Sequence, residues 1–150
     1  MREGTPMRFT RYTDYAIRVM LHLSVSQDRL VSIAEIAKAY DISHNHLMKV
    51  VQDLVSVGFV SSVRGRNGGL RIGRPPEDIN FGALVRHTED GFEMVDCTGC
   101  AVRPACAAPP VLAEAVSAFL AVLDRYTIAD LIRDRSMARM VLDEWSARPA

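Results

Sequence analysis

A mostly α-helical (α+β) fold, a winged helix-turn-helix followed by a C-terminal dimerisation helix, is predicted by three features of this 150-residue sequence. Two short amphipathic helices with a tight turn between them follow a longer first helix. An arginine- and glycine-rich segment then lies between two short runs of strand formers. Finally, a late helix carries an a/d apolar seam.

Each element has a local warrant. Residues 1–6 (MREGTP) show no apolar period and read as a disordered extension. From Thr10 onward, Tyr12, Tyr15, Ala16, Val19, Met20 and Leu23 recur at spacings of three and four, the stripe of a helix to about Val25. Ser32 and Glu35 form a capping box that opens a short helix to Tyr40, which Asp41 breaks. Ser43 is placed to cap a third helix that buries Leu47, Val50, Val51, Leu54 and Val57, and Gly58 stops it in the left-handed conformation. Phe59, Val60 and Val63, then Leu70 and Ile72, predict a hairpin that ends before Pro75-Pro76 and completes a winged-helix domain over 7–76. Asn80 can cap a helix to about Thr88, and Glu89 to Ala108 has no period, so 77–108 reads as a connecting helix and a loop. Pro109-Pro110 introduces a long helix with Leu112, Val116, Phe119, Leu123 and Tyr126 along one seam. That seam suits the partner of a two-fold dimer or the chain's own core. Thr127 can cap a short helix through Leu131, and Met137 to Trp145 can form a last one, completing a C-terminal region over 109–150.

Eighteen Lys plus Arg balance eighteen Asp plus Glu, but the balance hides a split. Residues 1–75 carry eleven basic and six acidic side chains, and residues 76–150 carry seven and twelve, so a polyanionic partner is expected only at the first half. No GxGxxG, P-loop or Ser/His/Asp arrangement is present, and an enzyme is not expected. No run approaches the roughly 18 apolar residues of a membrane span and no signal-peptide core is visible, so no membrane partner and a cytoplasmic location are expected.

The order of elements places the third helix in a DNA major groove. Ser43 begins it, and His44, Asn45, His46, Lys49 and Gln52 occupy its polar face. Asn and Gln can read adenine edges bidentately, while Lys suits guanine or phosphate. The wing holds Arg64, Arg66, Arg71 and Arg74 within eleven residues and no acid; Asn67, Gly68 and Gly69 complete the tip, and its glycines let backbone amides approach phosphate. The competing reading is a solvated basic loop on an interaction domain.

Cys97, Cys100 and Cys106 fall within ten residues of the aperiodic loop. Three thiolates at this spacing suit an iron–sulfur cluster, zinc completed by His or carboxylate, or a thiol switch at the CxxC pair. A fourth ligand would come from His87, Glu89, Glu93, Asp96, a partner subunit or an exogenous group.

Four segments carry a resemblance: 7–18 (MRFTRYTDYAIR), 43–50 (SHNHLMKV), 64–70 (RGRNGGL) and 125–131 (RYTIADL). Together they resemble the family of bacterial winged-helix regulators that includes NsrR, IscR and RirA, over nearly the whole chain from Met7. Asn45-His46, the wing, the Pro-Ala-Cys106 segment and the 118–127 run most resemble its NsrR-type, nitric-oxide-sensing repressors. The resemblance implies a homodimer on a palindromic double-stranded operator and an iron–sulfur cluster, 4Fe-4S in preference to 2Fe-2S, held by Cys97, Cys100 and Cys106. It also implies Asp14 as fourth ligand across the dimer. No His follows Cys106, unlike the IscR pattern, and iron-responsive or thiol-redox-responsive control of the same fold is the alternative, with a zinc-stabilised interaction module behind it.

Overall fold

The computed structural model describes residues 8–149, so the extension assigned to residues 1–6 and the Met7 that begins the winged-helix segment lie outside the described residues. Helix α1 (Arg11–Val25) starts where Thr10 accepts the amide of Thr13 through its hydroxyl. Helix α2 (Ile33–Tyr40) starts where Ser32 accepts the amide of Glu35 at 3.1 Å, which satisfies one orphan donor of the first turn. Asp41 ends it in the left-handed region, with φ 52°. Helix α3 (His44–Ser56) follows directly. Ser43 occupies its N-cap position, but the hydroxyl makes no capping bond. Gly58, with φ 78°, reverses the chain after α3.

Strands β1 (Val60–Val63) and β2 (Gly69–Ile72) pair antiparallel, from Val60 opposite Ile72 to Val63 opposite Gly69. At the tip the Gly68 amide donates to the Gly65 carbonyl, and a Cβ on Gly68 would sit 2.1 Å from the Val63 carbonyl oxygen. The turn is therefore closed to any larger residue there. Val31, just before α2, exchanges both backbone hydrogen bonds with Leu70, at 2.9 and 2.7 Å, and ties the wing to the helix-turn-helix.

Helix α4 (Phe81–Thr88) begins with Asn80 accepting the amide of Ala83 at 2.9 Å. Helix α5 (Ala108–Leu123) is shorter than the seam implies. It stops before Tyr126 because the Asn80 amide holds the Asp124 carbonyl at 2.7 Å and the Phe81 amide holds the Tyr126 carbonyl at 2.8 Å, which turns the chain back onto α4. The segment after Thr127 is a single 3₁₀ turn (Ala129–Leu131), closed by Thr127 and Asp130 on each other's amides. Helix α6 (Arg135–Ser146) lies over α1 and α2, held at its rim by Arg139 on Asp28 and by Lys38 on the Ser146 carbonyl.

The core is built around the inner face of α1. Ala16, Val19, Met20 and Leu23 meet Ile36 from α2, Leu47, Val50 and Leu54 from α3, Leu70 from the wing and Leu84 from α4. Ile128 closes the bottom, its amide on the Ile79 carbonyl. No residue of α5 or α6 is fully buried.

Among the described residues Thr13, His22, Ser24, Ser26 and Thr88 are buried polar groups, and His22 alone of them keeps an unpartnered side-chain nitrogen. His22 is 1% exposed; its Nε2 faces Glu35 Oε1 at 3.4 Å, and its Nδ1 has no partner among the described residues. Burial pushes its pKa below the ordinary 6.5, against the pull of Glu35. Arg29 grips the same Glu35 and holds that carboxyl below the ordinary range.

Two stability predictions follow from this packing. Leu54→Ala, at a fully enclosed position, is expected to cost about 3 kcal/mol in urea unfolding, and a cost under about 1 kcal/mol would contradict the packing described. Because His22 binds a proton more readily in the unfolded chain, its contribution is full above pH 6.5 and is lost as pH falls below it. The wild-type urea midpoint should therefore drop between pH 7 and 5, with a flatter profile in His22→Gln.

Candidate nucleic-acid interface and cysteine loop

The helix-turn-helix presents one face of α3 to solvent. Leu47, Val50, Val51 and Leu54 point inward, so the 3.6-residue period turns His44, Asn45, His46, Lys49 and Gln52 outward, and all five are exposed. Ser43 is exposed at the start of the same face. Met48 shares the outer face at 37% exposure. In the wing, Arg64, Arg66 and Asn67 are exposed at the tip and Gly68 and Gly69 are half-buried at the turn back into β2. No acidic residue lies between Arg64 and Arg74. Arg71 is exposed on β2. Arg74 behaves differently from the other three: its guanidinium folds over the Phe59 ring at 5.2 Å and reaches the Val57 carbonyl, so it braces the stem of the wing.

The cysteine loop runs from the end of α4 to the start of α5. All three thiols are free; Cys100 is exposed, and Cys97 and Cys106 are half-buried. The Cys100 amide donates to the Cys97 carbonyl across a turn in which Gly99 takes φ 71° with open space around it. Cys106 closes the following 3₁₀ turn (Arg103–Ala105), and its Sγ accepts the Ala108 amide at 3.4 Å. Three soft sulfur groups on one loop, one of them already accepting a backbone amide, fit an iron–sulfur cluster or zinc by their chemistry. Among the described residues, however, no three His, Cys, Asp or Glu side chains are gathered into a ligand set.

Of the other candidate ligands, His87, Glu89, Asp96 and Asp14 already have hydrogen-bond partners, and Glu93 lines the cleft beside Asp14. His87 Nε2 bonds Asp53 at 2.9 Å. Glu89 accepts both the amide and the hydroxyl of Thr10, at 2.8 and 3.1 Å. Asp96 accepts the Thr98 amide inside the loop, and that bond holds its carboxyl below the ordinary range. Asp14 sits in the first turn of α1, half exposed, with both carboxylate oxygens on Arg18 Nε at 3.2 and 3.1 Å. It lines an open cleft of about 1070 Å³ together with Phe9, Tyr15, Glu93, Met94, Val116 and Phe119.

That cleft adjoins the apolar side of α5. Along the helix Val111, Phe119 and Val122 are exposed, while Leu112, Val116 and Leu123 are half-buried; Phe9 meets Phe119 at 6.1 Å. Spacing anticipated the seam, but it could not show that most of the helix surface stays open. Sequence reasoning also missed the polar bonds of Thr10, Tyr12, Asp53 and His87. The capping preference of Thr10 was their only local signal.

Comparison with known proteins agrees with this architecture. Residues 9–134 match the model of the Rrf2 family, described as an iron-dependent transcriptional regulator. A Bacillus licheniformis protein named HTH-type transcriptional regulator NsrR is 46% identical over 91% of this chain and 99% of its own length. Its Bacillus subtilis namesake is 47% identical over 86% and 92%. Among solved structures, IscR of T. potens superposes with a TM-score of 0.72 at 27% identity, covering 89% of this chain and 92% of that one. Staphylococcus aureus CymR gives 0.69 at 25% identity, covering 83% and 98%.

The exposures set an order of thiol reactivity in the metal-free protein. Cys100 is expected to be alkylated first by iodoacetamide and Cys106, half-buried and bonded through sulfur, more slowly, as peptide mass spectrometry would read. Equal rates at the two would contradict the loop conformation.

Proposed function

This chain belongs to the Rrf2 family of transcriptional regulators, and from that premise we propose that it is a homodimeric repressor whose operator binding is controlled by an iron–sulfur cluster reactive toward nitric oxide. It is a regulator and not an enzyme. The observation that supports the cluster reading best is the set of three free cysteines on one loop, between a basic winged helix and an open apolar helix.

On DNA, Asn45 and Gln52 are the base readers of α3, with Lys49 on guanine or phosphate. Ser43, His44 and His46 lie along the same groove-facing surface. Arg64 and Arg66 neutralise phosphates from the wing, and Asn67, Gly68 and Gly69 let the tip come close to the backbone. The second copy of the chain covers α5, and a two-fold dimer demands a palindromic operator. The functional units are 7–76 for DNA, 77–108 for the connecting helix and cysteine loop, and 109–150 for dimerisation. No described helix is long and apolar enough to cross a membrane, and a cytoplasmic location suits a DNA-binding regulator.

Cys97, Cys100 and Cys106 would hold the cluster, 4Fe-4S by preference, with Asp14 of the second subunit as a carboxylate ligand. When bound, the cluster supplies iron that reacts with nitric oxide. The protein's part is to bring the three cysteines of one loop onto the group, and ligation would fix the conformation of that loop. Asp14 would share its carboxylate between the group and Arg18, and a carboxylate that has a competing cation nearby is a displaceable ligand. If the ordered loop favours the dimer geometry that matches the operator, each binding event tightens the other.

The test uses protein purified without oxygen and a palindromic duplex that the cluster-loaded form selects from a random pool. Loaded protein should bind that duplex at least about tenfold more tightly than metal-free protein, and nitric oxide should remove the difference. Equal affinity of the two forms would overturn the reading. Arg64→Ala and Arg66→Ala should each weaken binding to every sequence and reduce the salt slope by about 0.9, whereas Asn45→Ala should cost about 1–3 kcal/mol of base discrimination. A wing variant with unchanged slope would remove that arginine from the interface.

A further inference from the structure

The geometry points to His87 as the positioning residue through which the cysteine loop sets both DNA-contacting elements, with Asp53 of the recognition helix as its latch; this inference rests on the cluster-controlled repressor reading above. His87 is the penultimate residue of α4, immediately ahead of the segment that bears the cysteines. Its Nε2 donates to Asp53 Oδ2 at 2.9 Å, since an ionised carboxylate only accepts. The same Asp53 oxygen accepts the Tyr12 hydroxyl at 2.8 Å. Burial, reinforced by the bond to Asp53, pushes the Tyr12 pKa up to about 12, so the phenol remains a donor. One oxygen of α3 therefore joins α1 and α4 at a single point.

The His87 ring also meets Phe59, the residue that leads into β1. It packs edge-on against Phe59 at 6.1 Å and 73°, and Phe59 in turn carries the Arg74 guanidinium at the wing stem. Two residues further on, Glu89 fixes the loop entrance to Thr10 at the start of α1, one turn before Asp14. A displacement of the loop entrance thus pulls on the recognition helix through Asp53 and on the wing through Phe59. Asp53 lies one residue beyond the groove-facing Gln52, so a tilt of α3 about this latch moves the base-reading residues themselves. The two donors to Asp53 come from the helices that flank the cysteine loop and the proposed ligand Asp14.

The test compares wild type with His87→Ala, His87→Gln and Tyr12→Phe, each loaded and metal-free, by operator affinity and by amide hydrogen exchange of α3. In the wild type, loading should slow exchange over residues 44–56 and tighten operator binding. In His87→Ala the loaded-to-free affinity ratio should fall by about fivefold and the exchange of α3 should become the same in both forms, while iron and sulfide content and the visible spectrum stay as in wild type. His87→Gln, which keeps a donor toward Asp53, should recover most of the ratio, and Tyr12→Phe, which leaves the loop-side bond, should lower it less. His87→Ala with the full wild-type ratio and a cluster-dependent α3 would overturn the latch alone. A wild type with no loaded-to-free difference would overturn the repressor reading and the latch with it.

Discussion

Everything in this molecule leans on the burial of one face of α1. Ala16, Val19, Met20 and Leu23 are enclosed on all sides, and the elements that enclose them are the two helices of the DNA-binding motif, the wing through Leu70, and α4. At roughly 25 cal/mol per Å² of apolar surface removed from water, such a shared face is the largest favourable term available to a domain of this size. The consequence is geometric: the exposed side of α3 is held rigidly because its opposite side is locked against α1. The Val31–Leu70 bridge extends the same rigidity to the wing, which a two-stranded hairpin of this length would not have by itself.

The outer layer is held by different forces. The cysteine loop has few apolar anchors and is tied mainly by polar bonds at its ends, through His87 and Glu89 on one side and the Ala108 amide on Cys106 at the other. Individually such bonds contribute on the order of 1 kcal/mol, far less than the α1 face. A loop fastened in this way can change conformation without unfolding what lies beneath it, which is the property a sensing segment needs. The same contrast separates α5 and α6, which bury no residue completely, from the core helices. The outer apolar residues of α5 gain their burial only from a second copy in the proposed dimer.

Polar groups in and beside the core mark where the structure departs from simple apolar packing. His22 could be replaced by a hydrophobic side chain without leaving a hydrogen-bond network broken, except that Glu35, at the start of α2, would lose one of its two partners. Tyr12 and His87 both terminate on Asp53. In each case a carboxylate on a helix of the DNA-binding motif is satisfied from outside that motif, so the motif's orientation depends on its neighbours as well as on its own core.

Periodicity and capping alone determined the order of the helices, the hairpin and its basic tip, because those signals are local. A 3.6-residue stripe, a Ser-x-x-Glu box or a glycine at a helix end states its consequence within a few residues. They also determined that Asn45, Lys49, Arg64 and Arg66 face outward and that three cysteines share one loop. Tertiary structure alone decided that α5 ends at Leu123, since Asn80 and Phe81 hold the following turn from 44 and 45 residues away. It decided that Arg74 braces Phe59 and leaves the wing tip to its neighbours, and that His87 and Glu89 serve Asp53 and Thr10, although their spacing from the cysteines would also have suited metal ligands. The reason is the same in each case: such a side chain can reach several partners, and only the folded chain fixes which of them comes into contact.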